Sequence, residues 1–308
     1  MIKRKLGNSD VFITPIGLGT NAVGGHNLYP GLDENEGKEL VRTAINEGIT
    51  FLDTAYIYGE GRSEELVGEV MSEFNRSDIT LATKAAHVPG TRLKSNNPEF
   101  LIQSVEQALT RLKTDYIDLF YLHYPDDTTP KYEAVGTLER LREKGWIRSI
   151  GVSNFSEVQL IEANQDGYVD VVQDEYNLLH RGNEGTKMVY CQENNLSFIP
   201  YYPLASGLLT GKYTRERQFL ETDLRSKNPD FKGERFKGLC EKMDHLKPLS
   251  RKYKTDVTNL VLAWYLQRND VTGIIPGAKT SAQVRDNMGC LDVSMTLEDY
   301  QAMSELFR

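Results

Sequence analysis

The chain is poor in the features that would tie it to metals, membranes or nucleic acid. Among 308 residues there are only three cysteines, Cys191, Cys240 and Cys290, odd in number and far apart. No CxxC pair and no His/Cys cluster at ligand spacing occurs, so neither a disulfide framework nor a metal site is expected. Reduced thiols fit the chemistry of a cytoplasmic protein. No apolar run approaches the roughly 18 residues of a membrane span, and the opening MIKRKLGNSDVF has no signal-peptide core. Positive charge is in deficit, with 36 Lys and Arg against 44 Asp and Glu and a net charge of −8, which argues against nucleic acid or an anionic membrane as partner. Linkers, low-complexity tracts and heptads are also missing. Residues 1–308 are therefore expected to form one domain, with a monomer as the default.

What is present is a regular alternation. Short apolar runs (Pro15–Gly19, Thr50–Asp53, Asp78–Thr83, Tyr116–Leu122, Ser149–Val152, Asp170–Gln173, Ser197–Tyr201 and Thr272–Ile275) read as strands buried on both faces. Amphipathic patterns fall between them: Glu36–Asn46, a stretch capped by Ser63, helices opened by Asn97-Pro98 and Thr129-Pro130, and a capping box at Ser156 and Gln159. Further helices are predicted over Thr186–Asn194, Arg235–Tyr253, Val257–Gln267, Ser281–Met288 and Leu297–Phe307. Eight strands alternating with helices predict an α/β protein, a single (β/α)₈ TIM barrel, with an open doubly wound sheet as the competitor. LGNSDVF adds an N-terminal β-hairpin, and the last helix closes the chain. The polar stretch Thr214–Lys232 is long for a loop and reads as a lid or an insertion.

Gly17-Leu18-Gly19-Thr20-Asn21-Ala22 matches G-x-G-x-x-A after a strand. A dinucleotide loop of that kind needs a helix to begin at once, so that its N-terminus meets the pyrophosphate. Here VGGHNLYPGLDENEG follows instead, and the match reads better as a strand end turning into a loop. In a βα barrel, chemistry sits at such strand ends. Collecting their polar residues gives Asp53 and Tyr58 after the second strand, Lys84 after the third and His123 after the fourth. Ser153-Asn154 follow the fifth strand and Gln173 the sixth. Asp, Tyr, Lys and His on one mouth suggest proton transfer. Taken singly, each has a structural reading: Asp53 and Lys84 as an ion pair, Tyr58 as packing, His123 as a hydrogen-bonded core residue.

FLDTAYIYGEGRSEELVG, TLATK, DLFYLHYPD, GWIRSIGVSNF, VVQDEYN, PYYPLASGLLTGKY and IIPGAKTSAQVRDN resemble, in order, the signatures of the aldo-keto reductases. They run from Gly17 to Asn287, and the bacterial IolS-like branch is the most similar. The resemblance implies an NADP(H)-dependent oxidoreductase that reversibly reduces small-molecule aldehydes and ketones, with Asp53, Tyr58, Lys84 and His123 as catalytic tetrad and Tyr58 as proton donor. A free Tyr titrates near pH 10, and a nearby Lys84 ammonium is expected to lower that value.

The same resemblance implies the residues that hold NADPH or NADP⁺. Ser153, Asn154 and Gln173 would hold the carboxamide, Tyr201 would stack on the nicotinamide, and Thr20, Asn21 and Asp53 would line the near edge. Tyr202, Pro203, Leu204, Ala205, Ser206, Gly207 and Leu208 would run beside the pyrophosphate, with Lys212 adding charge and Arg225 closing over it. Gly277 and Lys279 lead into a helix N-terminus suited to the 2′-phosphate, with Gln283, Asp286 and Asn287 toward the adenine. Departures from the family pattern are Lys279 and Gln283 where arginine is frequent, and Tyr124 where tryptophan is frequent. A nucleotide-binding regulatory subunit is the alternative of a different class, and turnover of simple aldehydes separates the two.

Overall fold

The computed structural model describes residues 1–308. Two short antiparallel strands come first, β1 (Arg4–Lys5) and β2 (Phe12–Ile13), paired Arg4 to Ile13 and Lys5 to Phe12, which is the expected hairpin. Seven parallel strands follow, hydrogen-bonded in chain order: β3 (Leu18–Gly19), β4 (Phe51–Asp53), β5 (Thr80–Ala85), β6 (Ile117–Leu122), β7 (Ile147–Ser153), β8 (Val171–Glu175) and β9 (Ser197–Tyr201). The interleaved helices are α1 (Glu34–Asn46), α2 (Arg62–Met71), α3 (Pro98–Leu112), α4 (Lys131–Glu143), α5 (Glu157–Ala163) and α6 (Lys187–Glu193). After β9 come α7 (Gly233–His245), α8 (Lys247–Lys252), α9 (Val257–Leu266), α10 (Ser281–Met288) and α11 (Leu297–Leu306). No helix is long and apolar enough to cross a membrane.

The expected eighth strand, Thr272–Ile275, is not a regular strand. The segment makes single parallel bridges from Ile274 to Ile16 and from Gly277 to Gly19, while the Thr272 amide donates to the Phe198 carbonyl at 2.9 Å. It thus bonds to both the first and the last strand of the parallel sheet. Gly273, Pro276 and Gly277 explain the missing ladder, since proline has no N–H and glycine weakens an extended run.

Two apolar clusters result. The larger lies between the sheet and the helices, and includes Leu40, Val67, Leu101, Phe120, Leu138 and Trp264. The smaller lies on the opposite face of the strands, where Leu6, Val11 and Ile13 of the hairpin meet Phe51, Ala82, Leu119, Tyr121, Val171, Ile199 and Ile275. Each fully buried large side chain contributes roughly 1.5–3 kcal/mol against an exposed one. The hairpin is tied in place by Arg4, whose guanidinium donates to the carbonyls of Leu266, Val271 and Thr272.

Helix starts were legible where a side chain caps them. Asn97 accepts from the Glu99 amide ahead of Pro98, and Ser156 and Gln159 form the reciprocal capping box. Ser63 is a correction: it lies inside α2, fully buried, bonded to Thr20 and Thr54, and the cap position is Gly61. Pro130 occupies the cap of α4 itself, while Thr129 serves the loop by donating to Asp126. The single helix expected over Arg235–Tyr253 is two, broken at Leu246 ahead of Pro248.

The stretch Thr214–Lys232 is ordered by an aromatic cluster of its own. Phe219 and Phe231 pack with Tyr213 and Phe236 at centroid distances of 5.2–6.2 Å, around turns of 3₁₀ helix at Leu224–Lys227 and Pro229–Phe231. His180 links this stretch to the end of β8. Its Nδ1 lies 2.6 Å from Glu175 and its Nε2 2.8 Å from the buried Asp230, which Arg235 also holds at 2.6 Å. Burial pulls the imidazole pKa down, but Glu175 and then Asp230 outweigh it, and the net shift is upward. A raised folded-state value means stability that is present below about pH 6.5 and is lost as pH rises through the raised value. His180→Gln should therefore cost up to about 1 kcal/mol at pH 6, a figure kept small by the partial exposure of the ring, and nearly nothing at pH 9. Urea unfolding at the two pH values measures this; an equal cost at both would mean the imidazolium contributes nothing.

Candidate active site

The polar strand ends meet at one mouth. Asp53 ends β4 and Lys84 lies near the end of β5; both are almost fully buried. The Lys84 ammonium donates to Asp53 Oδ1 in a very short contact and to the Thr54 carbonyl at 2.8 Å. Gln173 Nε2 donates to the other carboxylate oxygen at 2.9 Å, so Asp53 has a partner on each side. Burial pulls the Lys84 ammonium below its usual range, and the Asp53 carboxylate opposes that pull.

Tyr58 stands above the pair in the loop after β4. Its ring centroid is 5.5 Å from Lys84 Nζ and 6.4 Å from the His123 ring, which it meets edge-on. The expectation that Lys84 lowers the Tyr58 pKa is corrected. Burial raises the phenol well above its ordinary value, and the Asp53 carboxylate pushes it further the same way. Lys84 is in contact with Asp53, whose charge offsets part of the ammonium's pull on the ring. The phenol holds its proton at neutral pH, as a donor must.

His123, just beyond β6, is buried and driven well below its ordinary pKa, first by burial and then by Lys84, His87 and Lys94. It is a neutral imidazole. Its Nδ1 is buried with no partner. Buried N–H groups are rarely left unpaired, which favours the proton on Nε2.

The cofactor candidates fall into three groups. Asn154 has a left-handed backbone (φ 62°), donates to Ser153 Oγ and the His123 carbonyl, and accepts from the Tyr201 hydroxyl at 2.7 Å. Thr20 is buried and bonded to Asp53 O and Ser63, while Gln173 is committed to Asp53. In the second group, Tyr202, Ala205, Ser206 and Gly207 all have positive φ, an arrangement that costs non-glycine residues of order 1–3 kcal/mol each. Gly207 has φ 87°, where an L side chain is strained, and a Cβ there would meet only the flexible end of Lys212 at 3.0 Å, so it is the backbone angle that calls for glycine. Pro203, Leu204 and Leu208 are the apolar members of this turn.

The third group joins two distant loops. Lys279 Nζ lies 4.7 Å from the Tyr29 ring, its backbone amide donates to Gln283 Oε1, and Gly277 bridges to Gly19 beside Asn21. Thr280 caps α10, with Gln283 and Asp286 exposed and Asn287 buried. Arg225 forms a bidentate pair with Asp223 and donates to the Tyr213 hydroxyl.

Sequence reasoning missed several neighbours. His87 packs 5.7 Å from His123 and 5.4 Å from Tyr124, whose ring carries Lys94 Nζ at 4.1 Å. His87 was findable, as it lies only three residues past Lys84. Glu64 was less so: fully buried in α2, it accepts from Thr83 at 2.6 Å and from Arg111 at 2.7 Å, directly behind β5.

Comparison with known proteins agrees with this geometry. Residues 15–308 match the aldo/keto reductase family, and the chain belongs to that family. Among named relatives it is 37% identical to the aldo-keto reductase YhdN of Bacillus subtilis, over 87% of this chain and 82% of that protein. It is 32% identical to the NADH-specific methylglyoxal reductase of Escherichia coli, over 99% and 98% of the two chains. The solved glycerol dehydrogenase of Gluconobacter oxydans superposes with a TM-score of 0.92 at 32% identity, covering 99% of this chain and 94% of that one. The protein is thus an oxidoreductase of the TIM-barrel class, whose family acts on small-molecule carbonyl compounds with a nicotinamide cofactor. The IolS-like branch is not singled out by these relatives.

Proposed function

We propose that the chain is an NADPH-dependent carbonyl reductase in which Tyr58 is the general acid, on a (β/α)₈ barrel whose eighth strand is the segment around Ile274. The observation that carries this reading is the grouping of a proton-holding phenol, a neutral imidazole and a buried Lys–Asp pair at one mouth. The residues present fit a dinucleotide. The left-handed turn at Tyr202–Gly207 leaves a glycine cradle beside Lys212, and Asn154 offers a pre-locked carboxamide next to the Tyr201 ring.

When bound, the cofactor supplies hydride to the carbonyl carbon. Nε2–H of His123 orients the carbonyl oxygen, and Tyr58 donates its proton as negative charge builds there. Lys84, held by Asp53, stands beside the phenolate that this leaves. Such acid catalysis contributes typically 10²–10⁴-fold. Ser153, Asn154 and the Tyr201 ring would fix the nicotinamide end, and Lys212 with Arg225 would meet the phosphates. Titrating the protein with NADPH and NADH by fluorescence, then adding an aromatic aldehyde, tests the whole reading. Binding without turnover of any aldehyde or alcohol would refute the reductase assignment.

Cofactor choice rests on Lys279 at the N-terminal end of α10, where a cation and helix amides suit a phosphate. Lys279→Ala should weaken NADPH binding by about 5- to 20-fold and NADH by much less, since one charge-assisted contact is lost only for the former. Equal losses for the two cofactors would remove Lys279 from the 2′-phosphate site. The E. coli relative's NADH specificity makes this comparison informative.

A further inference from the structure

One rung of the parallel sheet runs directly beneath the Lys–Asp pair. Lys84 of β5 is in register with Tyr121 of β6, and Tyr121 is in register with Gly151 of β7. Neighbouring residues in register present their side chains to the same face, here the interior one. Tyr121 is fully buried and belongs to the small inner cluster with Leu119, Val171 and Ile199. Its ring occupies the space that Gly151 leaves. A Cβ on Gly151 would fall 2.2 Å from Tyr121 Cδ1 and 2.4 Å from Cε1, so the ring can lie here only over a glycine.

The consequence falls on Lys84. Its Nζ lies 5.5 Å from the Tyr121 ring centroid, the same distance as from the ring of Tyr58. Both are within the roughly 6 Å over which an aromatic ring attracts a cation. The Tyr121 hydroxyl lies beside Gln173 and Asp53, but the Gln173 amide donates to Asp53 Oδ2 at 2.9 Å and no hydrogen bond of good geometry reaches the hydroxyl. The ring, rather than the hydroxyl, is therefore what Tyr121 contributes.

We propose that Tyr121, seated on Gly151, is a positioning residue: its ring is the floor that holds the Lys84 ammonium charged and at the height of Tyr58. This rests on the reductase reading for its catalytic meaning, but not for its test. A buried ammonium needs compensation; Asp53 provides most of it and the buried Glu64 of α2 adds to it, while His123 faces it as a neutral ring. The aromatic floor adds cation–π attraction and keeps water from beneath the pair, so that Lys84 stays protonated next to the phenol.

The test uses lysine carrying ¹³C at Cε, with the Lys84 signal assigned by its loss in Lys84→Arg. Tyr121→Leu keeps an apolar side chain but removes the ring, and should bind the Lys84 proton three- to tenfold more weakly, moving its NMR midpoint to lower pH. Tyr121→Phe, which retains the ring, should titrate within twofold of the wild type. Gly151→Ala, which displaces the ring, should move in the same direction as Tyr121→Leu. The alkaline limb of the kcat profile should shift with the NMR midpoint. A Tyr121→Leu midpoint equal to the wild type, or higher, would overturn the proposal, as would a Tyr121→Phe shift as large as that of Tyr121→Leu. If Tyr121→Leu does not fold, the Gly151→Ala and Tyr121→Phe pair decides by the same criterion. Absence of turnover in the wild type would defeat the reductase reading alone, because the NMR midpoints are read without substrate.

Discussion

Tyr58→Phe is expected to lower kcat for aldehyde reduction by about 10²–10⁴-fold while leaving the dissociation constant of the cofactor within a factor of about two. The substitution removes one oxygen and keeps the ring that lies over Lys84 and against His123. Packing is preserved, so the loss reports on the proton. Two phenols stand beside the buried ammonium, and of these Tyr58 is partly exposed to the mouth while Tyr121 is fully buried, so Tyr58 is the one a substrate can reach. His123 is neutral and poorly suited to replace it as an acid. Stopped-flow measurement of cofactor oxidation gives the chemical step directly. A variant that retained more than about a tenth of wild-type turnover would transfer the donor role to another group, with a water held by His123 the next candidate.

The second large effect is expected from Lys84→Met, and it is double. Removing the ammonium strands the Asp53 carboxylate in a site almost closed to solvent, with Gln173 as its remaining side-chain donor. Breaking a buried pair from one side costs about 3–5 kcal/mol. The same variant loses the charge that stands ready for the phenolate, so turnover should fall by at least about 10²-fold. Replacing both partners, as Asp53→Asn with Lys84→Met, separates the two effects: stability should recover by about 2 kcal/mol or more, and activity should not. A double-mutant cycle in urea gives the coupling energy. Coupling below about 1 kcal/mol would mean that the pair is not a buried ion pair in solution. Full recovery of activity in the double variant would mean that Lys84 has no part in the chemistry.

Much of the site was legible because barrel chemistry sits at strand ends, and strand ends show in sequence as apolar runs closed by polar residues. Asp53, Lys84, His123, Asn154 and Gln173 were all found that way, and the structure gathers them. The sign of the Tyr58 shift was not legible. It depends first on how deeply the phenol is buried and then on Asp53, whose carboxylate beside Lys84 pushes the phenol the other way. Tyr121 escaped notice for a related reason. On its own strand it is one of five apolar positions in six, and its meaning appears only across the rung to Lys84 and Gly151. Glu64 and Arg111, 47 residues apart on different helices, pair through packing that no local pattern announces.

By itself the sequence determined the alternation of strands and helices, the caps at Asn97 and Ser156, and the set of polar residues offered at the mouth. These follow from local physics: side-chain periodicity, the hydrogen-bonding needs of helix ends, and the placing of polar residues where apolar runs stop. The tertiary structure alone decided which charges neutralise each other, which nitrogen of His123 is sealed from solvent without a partner, and how the segment around Ile274 bonds to strands on both sides without forming a ladder. Those outcomes depend on distances between residues far apart in the chain, and electrostatics and desolvation change steeply over a few ångströms.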